Sequence, residues 1–135
     1  MNIFFSNSIV KFLASGGIFH CKIFSLVYLE NTGAAFSMFE NSVLWLAVFS
    51  ILASLLILSV VLKNIKKLNY FEITGVVIFL SGIFGNMYER ISIGFVRDYF
   101  HLNFVNFPVF NVSDILVNVG VFVILISLLV EKKTD

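Results

Sequence analysis

Two aspartates, Asp98 and Asp114, are the residues of this chain best suited to chemistry. They lie in the stretch from Gly85 to Asp114, which also holds Asn86, Glu89, Arg90, Arg97 and Asn111 and has hydrophobic sequence on both sides. Ionisable groups beside a bilayer are costly to keep, so by default they raise a functional hypothesis. Two carboxylates a few ångströms apart resist double ionisation and share a proton. The ionised member can then take a proton from water while the protonated one polarises a carbonyl. Asp98 and Asp114 are too far apart in sequence to be helical neighbours, so the intervening chain has to fold them together. Each residue also has a plainer reading. Asn111-x-x-Asp114 ahead of an apolar run resembles a helix capping box, and Asp98 can pair with Arg97 or Arg90 at an interface. Arg90 can equally meet Glu89 or Glu72, and Asn31 in Asn31-Thr32-Gly33 suits a tight turn.

The elements that must position these residues are mostly apolar. Hydrophobic residues make up 59% of the chain and charged residues 13%, and the mean hydropathy is +1.01. Those values fall well outside soluble-domain usage, and 17 phenylalanines exceed what a small soluble core needs. A bilayer accepts them. The composition therefore indicates an integral membrane protein, and 135 residues support one domain over 1–135. Residues 43–62, 71–88 and 113–130 each approach the ~20 apolar residues a span needs. Residues 1–14 read as the last part of a first, shorter span. Gly75, Gly82 and Gly85 in the third span would let helices approach closely. Ile23 to Leu29 reads as a short strand, and with the Asn31 turn it suggests a small β-rich platform at the membrane surface.

Charge sets the expected orientation. Lys63, Lys66 and Lys67 follow the second span, and Lys132 and Lys133 follow the last. By the positive-inside rule both groups are cytoplasmic, which sends the 85–114 stretch and the Asn31 region to the opposite, extracytoplasmic face. The net charge of +1 gives no case for nucleic acid. Cys21 is the only cysteine, so no intrachain disulfide is expected. Cys21, His20 and His101 have no recognised metal-ligand spacing and H-E-x-x-H does not occur, so neither metal nor cofactor is expected. Met1 to Ser8 carries no Lys or Arg ahead of the apolar run, which argues against a secretory signal peptide.

Three blocks of residues resemble the lipoprotein signal peptidase (signal peptidase II) family of bacterial membrane aspartyl proteases. The first is Asn31-Thr32-Gly33-Ala34-Ala35-Phe36. The second is Gly85-Asn86-x-x-Glu89-Arg90 with Gly94-x-Val96-x-Asp98. The third is Phe107-Pro108-x-Phe110-Asn111-x-x-Asp114. The resemblance implies an all-α integral membrane protein with four transmembrane helices, the first short or partial, and a small extracytoplasmic β-rich platform. It implies that Asp98 and Asp114 are the catalytic pair, and that Asn31, Asn86, Arg90 and Asn111 order the site or hold substrate. Gly33 is read as a backbone necessity. Lys11 matches the lysine that ends a family pattern in the first helix, although Asn7 stands where the family usually has Asp. Glu89 likewise replaces the usual Asp before Arg90, keeping the charge.

What the resemblance implies for function is an endopeptidase of the bacterial inner membrane, multi-pass, monomeric and without cofactor. Its partners would be membrane lipid and diacylglyceryl-modified prolipoproteins, whose signal peptides it removes on the extracytoplasmic side. Two other classes compete. One is a non-catalytic homologue that binds lipopeptide, against which the intact aspartates argue. The other is a small transporter or channel subunit, which fits poorly because the acids gather at one interface instead of mid-span. The G-x-S-G and G-x-G-D marks of other intramembrane proteases are absent.

Overall fold

The structure, a computed structural model, describes residues 7–33 and 42–131. Ala34, Ala35 and Phe36 of the first block, Lys132 and Lys133, and residues 1–6 of the expected first span lie outside the described residues. Helix α1 spans Asn7–Ala14, α2 Val43–Asn64, α3 Tyr70–Ile93 and α4 Val112–Glu131. Strands β1 (Phe19–His20), β2 (Phe24–Asn31) and β3 (Val96–Leu102) form one antiparallel sheet in the order β1-β2-β3. Among the described residues three helices, α2, α3 and α4, are long and apolar enough to cross a membrane. The eight described residues of α1 rise only ~12 Å, so α1 as described does not cross a bilayer.

The ends of α3 follow from local chemistry. Asn69 Oδ1 accepts the Glu72 N–H at 3.0 Å, and Glu72 Oε2 accepts the Asn69 N–H at 2.9 Å, a reciprocal capping box. Glu72 is thereby spoken for at the start of its own helix. At the other end Gly94 takes φ 82, and its N–H closes on the Arg90 carbonyl. This left-handed stop sets the helix end at Ile93, beyond the Tyr88 boundary expected from hydropathy.

Helices α3 and α4 run antiparallel in close contact, and glycine is the reason. A Cβ on Gly82 would collide with the Ser113 carbonyl and lie 2.8 Å from the Val117 nitrogen. One on Gly120 would collide with the Phe79 nitrogen and lie 2.7 Å from the Gly75 carbonyl. At one end of the pair Asn69 and Ser127 exchange hydrogen bonds at 2.8 and 3.0 Å, beside the lysine-bearing turn from α2. Asn86, Arg90 and Asp114 stand at the opposite end. Helix α2 packs on α3 through a face that includes buried Ala47 and Ser54, while Leu44, Trp45, Phe49, Leu55 and Leu56 remain exposed. Such a surface suits lipid.

The sheet departs from expectation in one respect. The Asp98 region, where no strand was expected from the sequence, is strand β3 along most of β2. Leu26 faces Phe100 and Leu29 faces Asp98, so β2 carries one extra residue between them. That bulge changes the inside-outside phase of β2 next to Asp98; bulges are frequent beside active sites for this reason.

Candidate active site

Asn111 brings the two aspartates together. The excursion after β3 returns to it through an isolated bridge: the N–H groups of Tyr99 and Phe100 both donate to the Phe110 carbonyl, at 2.9 and 2.8 Å, and Phe110 N–H donates to the Phe100 carbonyl. The Phe100 and Phe110 rings pack 5.6 Å apart. Asn111 therefore arrives beside Asp98 just as α4 begins. Its Nδ2 donates to Asp98 Oδ1 at 2.8 Å and to Asn86 Oδ1 at 3.0 Å. Asn86 Nδ2 in turn donates to Asp114 Oδ1 at 2.8 Å. The capping box read in the sequence also forms: Asn111 N–H donates to Asp114 Oδ2, and Asp114 N–H donates to Asn111 Oδ1. Asp114 thus caps α4 and also joins the amide network that reaches Asp98, so capping and a place beside Asp98 are compatible.

Asn31 completes the cage. Its Oδ1 accepts the Gly33 N–H and its Nδ2 donates to Asp98 Oδ2, both at 2.9 Å. The backbone donors on the Oδ1 atoms of Asn31 and Asn111 dictate which way each amide faces. Both oxygens of Asp98 accordingly receive N–H donors. Arg90 reaches across from α3 and its Nη2 donates to the Gly33 carbonyl at 2.7 Å. Its Nε is buried with no hydrogen-bond partner among the described residues. Gly85 is buried next to Asn86 on α3.

The structure corrects several pairings. Arg97 does not bind Asp98: its Nη2 and Nε hold Glu89 Oε1 at 2.7 and 3.1 Å, and its backbone N–H donates to Glu89 Oε2. That nearly buried pair, with two guanidinium N–H groups on Oε1 and the backbone N–H on Oε2, clamps β3 to the end of α3. Arg90 accordingly meets neither Glu89 nor Glu72. Lys11 is exposed on α1 and lies outside the cavity that Asn31, Gly33, Asn86, Arg90, Asp98 and Asp114 line, while Asn111 is buried behind it. The Glu89–Arg97 clamp was not expected from sequence, although an acid eight residues before a base across a glycine stop is its visible trace.

Asp98 is 2% exposed. Burial pushes its carboxyl up to about 6, against the pull of the Asn31 and Asn111 amides; the Asp114 charge adds to the rise and Arg90 opposes it. Both aspartates open onto a cavity of about 830 Å³. The end of β2 from Leu29 to Asn31, with Thr32 and Gly33 beyond it, forms one wall, Phe107–Phe110 another, and α4 from Asp114 to Val119 a third. The walls are largely apolar and the polar groups converge, the usual make-up of a binding site. A carboxylate pair with one raised pKa in such a cavity can activate water.

Residues 3–130 match the family model for signal peptidase (SPase) II. The chain belongs to the signal peptidase II family. It is 38% identical over 109 residues to the lipoprotein signal peptidase of Enterococcus faecalis, covering 81% of this chain and 67% of that one. It is also 38% identical over 108 residues to that of Streptococcus pneumoniae, covering 80% and 70%. In fold it resembles a bacterial membrane enzyme solved by the in meso method at 2.3 Å resolution, with a TM-score of 0.77 at 22% identity over 95% of this chain and 82% of the other. A second such structure, at 1.9 Å, gives 0.75 at 23% identity over 90% and 83%. Membership and the apolar helices make the chain a multi-pass bacterial membrane protein of a protease family.

Proposed function

We propose that the chain is an aspartic endopeptidase that removes signal peptides from diacylglyceryl-modified prolipoproteins, with Asp98 and Asp114 as the catalytic pair. The observation that carries this reading is the amide bridge from Asp114 through Asn86 and Asn111 to Asp98 at one wall of the cavity. The matched relatives are themselves named lipoprotein signal peptidases. Water between the pair gives a proton to the ionised carboxylate as its oxygen adds to the scissile carbonyl carbon. The protonated carboxylate donates to the carbonyl oxygen, and collapse of the tetrahedral adduct passes a proton to the leaving amine. Asn31, Asn86 and Asn111 hold the carboxylates in register. Arg90 fixes the Gly33 turn over the site.

The lysine-bearing end of the bundle is cytoplasmic in this reading and the aspartates lie at the extracytoplasmic interface. Asn7–Ala14 belongs to a fourth, first-in-sequence span, and the working unit is a monomer acting on substrate drawn from the surrounding lipid. The test is gel-shift processing of a diacylglyceryl-modified prolipoprotein by purified protein in detergent. Asp114→Asn preserves helix capping, since Asn is itself a good cap, so a purely structural Asp114 predicts near-normal turnover. The proposed role predicts loss of nearly all activity, with an Asp98→Asn, Asp114→Asn double variant hardly worse than either single. Processing by either single variant at the normal rate rules the dyad out.

A further inference from the structure

Asn118 is the only polar side chain of α4 between Asp114 and Ser127, in a span of mean hydropathy 2.4. It is exposed and lines the cavity one helical turn beyond Asp114. Its Nδ2 donates to the Asp114 carbonyl at 2.8 Å, which orients the amide and uses one of its two N–H groups. One N–H and the Oδ1 acceptor remain, and among the described residues Oδ1 receives no hydrogen bond. An amide left half-satisfied on an apolar wall is costly. Its neighbours Ile115 and Val119 line the same cavity and offer only hydrocarbon.

One donor and one acceptor on a planar amide match a peptide group, which presents one carbonyl and one N–H. A lipid ester supplies acceptors alone and would leave Oδ1 unmatched. Four helical residues advance ~6 Å, and an extended chain covers that distance in about two residues. We infer that Asn118 is a substrate-positioning residue that hydrogen-bonds a backbone peptide group within two residues of the scissile bond. This rests on the proposed function, and it names which part of the substrate α4 reads beyond the aspartates. Residue 118 touches no reacting atom in this account, so its contribution is to binding, equal in ground and transition states.

The experiment measures processing kinetics for the unaltered enzyme, Asn118→Leu and Asn118→Ser. Expected for Asn118→Leu is a rise in KM of about tenfold, the worth of one or two hydrogen bonds, with kcat within about twofold and thermal stability retained. Substrates carrying a backbone ester in place of one amide, scanned over the two residues on each side of the cleavage site, isolate the contact without any protein variant. One such substrate should raise KM for the unaltered enzyme yet add nothing further in Asn118→Leu. A diacylglyceryl group with ether in place of ester linkages should behave normally. If the unaltered enzyme processes substrate while Asn118→Leu shows an unchanged KM, the inference falls and the proposed function stands. It also falls if the ether lipid, and no backbone ester, reproduces the defect. If the unaltered enzyme fails to process, the functional reading falls and this one with it.

Discussion

Asp98→Asn should uncouple stability from activity in a pH-dependent way. The Asp98 carboxyl rises from an ordinary 3.8 to about 6 in the folded protein. A raised carboxyl means that the folded state binds the proton more tightly than the unfolded chain does. Its contribution is fully present below the unfolded value and is lost as pH rises through the folded one. The shift of roughly two units corresponds to about 3 kcal/mol lost between pH ~4 and pH ~6.5, with no further change above. The substituted amide does not titrate, so the variant lacks this loss. It carries instead a constant penalty. Both amides facing residue 98 are locked with their N–H groups toward it, so the NH₂ of the introduced side chain must oppose one of them at about 1–3 kcal/mol. The variant should therefore melt below the parent at pH 4 and gain on it as pH rises, the difference changing by roughly 10 °C for a chain this size. Thermal melting in detergent from pH 4 to 8 measures the difference curve, which cancels the other carboxylates. Asp114→Asn, which removes a charge that raises Asp98, should move the midpoint of the parent's loss to lower pH. A difference curve flat across the range would refute the buried, proton-retaining Asp98 on which the dyad depends.

Arg90→Lys should insert normally yet lose most activity, because an ammonium cannot reproduce the planar reach to the Gly33 carbonyl; normal turnover would confine Arg90 to a surface role. Gly82→Ala forces a methyl against the Ser113 carbonyl and should cost about 1–3 kcal/mol while lowering kcat through displacement of neighbouring Asp114, as melting and processing together would register. Glu89→Gln removes the counter-charge of nearly buried Arg97, an expected loss of about 3 kcal/mol read as a lower melting temperature, whereas conservative Glu89→Asp should recover part of it. Single cysteines at Lys66 and Asn103, in a Cys21→Ser background, should label from opposite membrane sides; labelling from one side would overturn the orientation.

The three long spans were legible in the sequence because burial in lipid is a local demand. A run of apolar residues of bilayer length declares itself without knowledge of its neighbours, and so does the Asn111–Asp114 cap, whose partners are three residues apart; the equally local Asn69–Glu72 cap was not read from the sequence. The polar gathering from Asn86 to Asp114 was visible for the same reason, as charge where a membrane tolerates little. Tertiary structure alone decided which of those charges meet. Arg97 sits beside Asp98 in sequence but alternates to another side of β3, and the Gly94 turn delivers it to Glu89. Strand β3 itself was hidden, since Arg97, Asp98 and His101 interrupt its apolar pattern and its partner strand lies some seventy residues earlier. The approach of the two aspartates rests on the Phe100–Phe110 bridge and the glycine contact between α3 and α4. Lys11 and Asn118 make the same point from opposite directions: one polar residue in an apolar segment stays outside the cavity and the other lines it, because a side chain's surroundings are set by the packing of distant segments.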